Sequence, residues 1–234
     1  MSCPAVALGL AGRCLATSGG CERVIAGKKC ANKKGKKTMD DVDLKAELDR
    51  LTPFEGRVPF MYLDNAENPN VTCGVGFLIA SVDRACELPW HHLADGLPAS
   101  DAEIAADFLR VASMRGGMRS DAYKGDLRLS SDDIDAEGFR LLRGFLAGLP
   151  NVFPGFSGFP DGVQQALLDL AWNCGLAAPK GLAGWTHLRA ACNSVPPDWP
   201  TAALQCRTAN PNNSPLREHR NDWRSSMFIA AEVA

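Results

Sequence analysis

An excess of positive charge is missing from this sequence. Lys and Arg number 25 against 27 Asp and Glu, for a formal net charge of -2. No global basic field therefore argues for nucleic acid as a partner. Long apolar runs are missing too. No stretch approaches the ~18–20 residues that span a bilayer. Residues 5–11 are small and apolar, but no Lys or Arg precedes them, which makes a poor secretory leader. The nine cysteines include no Cys-x-x-Cys pair, so the spacing of a structural zinc site is absent, and an odd count cannot pair completely within one chain. No Ser or Cys sits in a nucleophile elbow. The run "TCGVG" has neither the glycine spacing nor the following lysine of a phosphate loop. There is no internal repeat. Nothing here calls for a metal or an organic cofactor.

What is present divides at about residue 38. Residues 1–38 are a tail rich in Gly, Ala, Cys and Lys, with Cys3, Cys14, Cys21 and Cys30 and a lysine cluster at 28–37. The expectation is a poorly ordered, solvated segment. No aromatic is interleaved with the lysines, so the stacking that single-stranded nucleic acid needs is absent. From residue 39 the chain reads as one domain. Leu44, Leu48 and Leu51 fall at helical spacing, with Thr38 as N-cap and Pro53 as the stop, which puts Glu55 just beyond the helix. "VPFMYL" and "VTCGVGFLI" read as a β-hairpin with "DNAENPN" as a long loop.

Helices follow. Ser100 and Glu103 form a capping box ahead of an Ile104, Phe108, Val111 stripe. Another helix opens near Ser130 and buries Ile134, Leu141, Leu142 and Phe145. A third starts at Pro160 and stops at Gly175. "LAGWTHLRAAC" and "DWPTAALQC" read as short helices, and Ser214-Pro215 opens a last one. The class is α+β: a small β-hairpin or sheet lobe, then a larger helical lobe, with a groove between them.

Two acids nine positions apart, Glu55 and Asp64, flank the first strand, and Thr72 lies on the returning strand. Each alone has an ordinary role: a helix-end Glu, an Asp-Asn turn, a β-branched strand residue. Together they can do more. Cleaving a glycosidic bond needs an acid to protonate the leaving oxygen and a group opposite to manage the oxocarbenium charge or the water. Glu55, flanked by Pro53, Phe54 and Gly56, is the candidate acid. Asp64 is the candidate second carboxylate, and Thr72 the hydroxyl that helps it hold a water. Gly74 and Gly76 give a polymer room to approach the backbone.

The run "EGRVPFMYLDNAENPNVTCGVG" resembles the signature of phage-type lysozymes: Glu-Gly, aromatic-Tyr-x-Asp, then Thr-x-Gly-x-Gly. The step from Asp64 to Thr72 is about two residues longer than in the shortest members. "ALLDLAWNCG" resembles the family's central helix, and the later helices resemble those that close its helical lobe. The likeness runs over about residues 40 to 230 and is nearest to lysozyme-like toxin domains of bacterial secretion-system effectors. It implies a lysozyme-like catalytic domain over 39–234 that hydrolyses the β-1,4 bond between N-acetylmuramic acid and N-acetylglucosamine in peptidoglycan. It implies Glu55 as proton donor, Asp64 and Thr72 as the water-holding pair, and inversion at the anomeric carbon. No metal or cofactor is implied. The expected partners are glycan strands and an immunity or secretion-apparatus protein, with the chain a monomer acting outside the cell or in a target bacterium's periplasm. A non-catalytic glycan-binding module, a lytic transglycosylase and a chitinase-like glycosidase stand as alternatives.

Elsewhere the bland readings prevail. His91 and His92 are adjacent, so on a strand they face opposite ways and make a poor metal pair. Trp172, Trp185, Trp199 and Trp223 read mainly as core, with Trp185 or Trp199 as candidates for the groove edge. Arg217, Arg220 and Arg224 read as a solvated helix face, and Cys174, Cys192 and Cys206 as small core residues.

Overall fold

Leu44, Leu48 and Leu51 point one way, and the computed structural model, which describes residues 41–64, 69–210 and 212–233, builds helix α1 over Asp41–Glu55 with all three buried. The 1–38 tail, its four cysteines and the Thr38 cap lie outside the described residues. The helix does not stop at Pro53 as the sequence suggested. In a last turn the missing proline N–H costs one hydrogen bond, and the fixed φ still suits a helix. The stop is Gly56, at φ 77°, whose N–H closes on the Thr52 carbonyl at 2.8 Å. Glu55 is therefore the last helical residue.

Three strands follow: β1 (Val58–Leu63), β2 (Val71–Gly74) and β3 (Phe77–Leu78), antiparallel in that order. β1 and β2 pair Tyr62 with Thr72 and Leu63 with Val71, and the register shifts between Val58 and Tyr62. The single strand expected over "VTCGVGFLI" is split by a tight turn. Gly74 and Gly76 take φ 58° and 73°, a region that side chains with a Cβ enter only with strain. A Cβ on Gly74 would also run into the Phe77 ring.

A short segment not anticipated from the sequence comes next. Helix α2 (Val82–Cys86) leads to β4 (His91–His92), then α3 (Asp101–Ala112), then β5 (Leu127–Arg128), which pairs with β4. α3 carries the expected Ser100–Glu103 capping box. The Leu129 N–H donates to the Pro59 carbonyl at 2.8 Å, which ties this segment to β1.

The long α4 (Ser131–Val152) starts at a Ser130–Asp133 capping box and passes through Pro150. α5 (Asp161–Cys174) follows, with Pro160 at the cap and Gly175 at φ 75° as the stop. Then come α6 (Thr186–Asn193), α7 (Trp199–Gln205) and α8 (Pro215–Glu232), the last capped by Ser214 with Pro215 in its first turn. α5 packs on α8, and α7 on both α6 and α8, while α1 and α4 pack on each other and reach α8 and α5 respectively. One apolar core runs through all of these from Leu44 to Phe228. The class is α+β. Among the described residues no helix is long and apolar enough to cross a membrane.

Candidate active site

Glu55 ends α1 where the chain turns into β1, and its carboxylate has two different neighbours. Oε1 accepts a hydrogen bond from Arg220 Nη1 at 2.6 Å. Oε2 faces the turn between β2 and β3: a Cβ added to Gly76 would sit 3.2 Å from it. The Arg220 guanidinium lies over Phe54, 5.0 Å from the ring centre. Glu55 keeps 21% side-chain exposure, so it is open to a ligand while held on one oxygen. Beside it is a pocket of about 150 Å³ lined by Phe54, Asn173, Thr208, Arg217 and Arg220. That volume is below the ~300 Å³ at which ligand pockets usually begin, so it suits part of a ligand rather than a whole one.

Asp64 sits just past the end of β1. It accepts from the Asn70 N–H at 3.0 Å through Oδ1 and from Asn70 Nδ2 at 3.2 Å through Oδ2. Its own N–H donates to the Asn70 carbonyl at 3.0 Å. Thr72 does not meet Asp64 in the simple way the sequence suggested. Its side chain is buried, and Oγ1 donates to the same Asn70 carbonyl at 3.1 Å. Asn70 is thus a common partner of both. Sequence reasoning missed it, because Asn beside Pro69 reads as turn chemistry alone.

Tyr62 pairs with Thr72 across the sheet, and the charges of Glu55 and Asp64 both act on its phenol. Burial, then Cys73, then these two carboxylates push its pKa up to about 12. At any ordinary pH the phenol stays protonated.

The larger correction concerns the arginines. Arg217 is exposed as expected, but Arg220 and Arg224 are 6% and 0% exposed. They bury themselves because α5 carries Asp169, itself 0% exposed. Arg220 Nε donates to both Asp169 oxygens at 3.2 and 3.0 Å. Arg224 Nε donates to Oδ2, and Arg50 of α1 donates to Oδ1 at 2.8 Å. Arg50 also holds the buried Glu47 and stacks on Trp223 at 3.9 Å. Burial pushes the Asp169 pKa up, and Arg220, Arg224 and Arg50 outweigh it, so the net direction is down. The available signal was an acid on the apolar stripe of a buried helix, which needs cationic partners.

Trp199 is packed in the core against Phe159 and Phe228, so it does not edge a groove, whereas Trp185 is half-buried. His92 lies on β4 and bonds Asp126 at 2.7 Å; that bond, first, and Glu103 raise its pKa. His187 and His219 are exposed, and His219 stacks on Phe54. Cys192 and Cys206 are buried free thiols and Cys174 is half-buried. Among the described residues no group of three or more His, Cys, Asp or Glu side chains is arranged to hold a metal ion. No family model matches the chain, and no curated protein matches it significantly.

Proposed function

We propose that this chain is a lysozyme-like muramidase that hydrolyses the β-1,4 bond between N-acetylmuramic acid and N-acetylglucosamine, a lytic effector acting on the peptidoglycan of a target bacterium. One observation carries the reading. A helix-end Glu, held on one oxygen by Arg220, faces with its other oxygen the β2–β3 turn of the same sheet whose first strand ends just before Asp64. The α1, three-stranded sheet and α4–α8 order supports a two-lobed lysozyme-like domain with the glycan laid between.

The chemistry follows from the two oxygens of Glu55. With Oε1 engaged by Arg220, the proton to be delivered sits on Oε2. Oε2–H protonates the glycosidic oxygen as the C1–O bond breaks. A water on the opposite face attacks C1, and its proton passes to Asp64, whose orientation Asn70 fixes. The product inverts at C1, and solvent returns the proton from Asp64 to Glu55. Thr72 donates to the Asn70 carbonyl and so helps hold the loop residue that orients Asp64.

Mass spectrometry of muropeptides from purified sacculi tests this. Wild type is expected to release products with reducing-end muramic acid. Glu55→Gln is expected to lose about 10²–10⁴-fold in rate, the range that general acid catalysis supplies. Anhydro ends would point to a lytic transglycosylase instead. Release at the wild-type rate by Glu55→Gln would remove the acid assignment.

A further inference from the structure

We propose that Asp169 is a positioning residue for Glu55, acting through Arg220; this rests on reading Glu55 as the proton donor. Asp169 does not line the pocket beside Glu55 and is fully buried, so it cannot touch a substrate. It does touch Arg220, the residue that holds Glu55. A guanidinium is planar and rigid, so fixing one edge fixes where its other amine points. Both Asp169 oxygens accept from the single Nε–H of Arg220, and Nη1 of the same group meets Glu55 Oε1, while Nη2 is buried with no hydrogen-bond partner. The Phe54 ring covers one face of the guanidinium.

A second reason lies in what else holds Asp169. Arg50 reaches it from α1, the helix that ends in Glu55, and Arg220 itself stands on α8. The carboxylate therefore locks together the helix bearing the acid and the helix bearing the arginine that orients it. Without it, Arg220 would be free to turn toward Glu55 with either amine, and the choice of which Glu55 oxygen is engaged would be lost. A residue that only glued helices would need Arg50 and Arg224. It would have no need of the two-oxygen grip on Arg220 that aims Nη1.

The test uses the full chain on soluble, uncrosslinked glycan strands, with wild type, Asp169→Asn and Arg224→Met compared. Asp169→Asn keeps the shape and removes the grip. Its kcat is expected to fall about ten- to a hundredfold, the scale of a 1 Å misplacement at a reacting group, with KM within about twofold. Arg224→Met disturbs the same buried cluster but leaves the Asp169–Arg220–Glu55 chain intact, so its kcat is expected to hold even where its melting temperature drops. A folded Asp169→Asn with wild-type kcat, or an equal loss in Arg224→Met, overturns the proposal. Should Asp169→Asn fail to fold, Arg220→Lys takes its place: a lysine keeps the charge but cannot grip Asp169 and Glu55 in one plane, and the same kcat loss is expected. The Arg220 Nε–H proton resonance gives a readout that needs no activity. It is expected to exchange slowly in wild type and rapidly in Asp169→Asn. Unchanged exchange overturns the positioning role even if the chain proves not to cut glycan; an inactive wild type with the exchange difference present removes the muramidase reading alone.

Discussion

The two halves of the candidate site are held by opposite means. In the hairpin, Asn70 offers Asp64 a backbone N–H, an amide side chain and a carbonyl. In the helical half, Glu55 is placed by charge. Three guanidiniums and the carboxyl groups of Glu47, Glu55 and Asp169 form one cluster, and Asp169 at its centre is fully buried. Hydrogen bonds from neutral donors to a carboxylate near a surface are charge-assisted, about 1.5–3 kcal/mol each at most, and solvent weakens them. A buried ion cluster is different. Assembling it contributes little net stability, but breaking one member leaves charges stranded in a low-dielectric interior. The hairpin thus leaves Asp64 room to adapt. The helical half is arranged so that Glu55 cannot wander.

The largest expected effect breaks the charged half. Asp169→Ala leaves three guanidiniums with one buried partner removed and should cost about 3–5 kcal/mol of folding stability, read from urea melts. A loss below about 1 kcal/mol would mean that the cluster is wet and relaxed, and the contrast with the hairpin would collapse.

Acid gives a milder version of the same break, because the side chain stays in place. The Asp169 pKa is lower in the folded chain than its ordinary value of 3.8. The unfolded chain therefore takes up this proton first as pH falls. The stability it contributes is fully present above about pH 4 and is lost as pH drops through the folded value. Glu47 runs the other way. Burial, outweighing Arg50, raises its pKa above 4.5, so its contribution is present below that pH and is lost as pH rises. Urea midpoints between pH 5 and pH 2 should show wild type losing stability toward pH 2 and Asp169→Asn following a flatter curve. Parallel curves would mean that other carboxylates drive acid unfolding.

The two halves also differ in how far a reader of the sequence could see them. Glu55, Asp64 and Thr72 stand in one run of eighteen residues, where a hairpin forces short-range neighbours together. The turn glycines, the capping boxes of α3 and α4, and the Gly175 stop were equally legible, since each is a local device. Asn70 escaped because its role depends on which way a loop residue points. The arginines escaped for a physical reason. A cation on α8 is buried only because Asp169, about fifty positions earlier, meets it, and no helical period carries that information. Pro53 misled because proline breaks helix interiors and tolerates their last turns poorly but sufficiently. The small β4–β5 sheet escaped because two-residue strands have no pattern to read.

The smallest expected effect on stability falls on the neutral half. Asn70→Ala removes the amide bond to Asp64 and keeps both backbone bonds, N–H to Oδ1 and carbonyl from the Asp64 N–H. One partly exposed hydrogen bond is worth about 1 kcal/mol or less. On the muramidase reading, activity should suffer far more than stability. Asp64 loses the group that sets its second oxygen, so the water it activates is no longer held opposite the leaving sugar, and a turnover loss of about tenfold is expected. Glu55 and Arg220 are untouched, so the Arg220 exchange signal should stay as in wild type. Measured together, a melt, a turnover rate and that signal separate the two halves. A variant that loses turnover with its melt and its arginine signal intact places the loss at Asp64. A variant that loses all three shows that the hairpin and the buried cluster are one cooperative unit, and the division between an adaptable half and a rigid one would have to be given up.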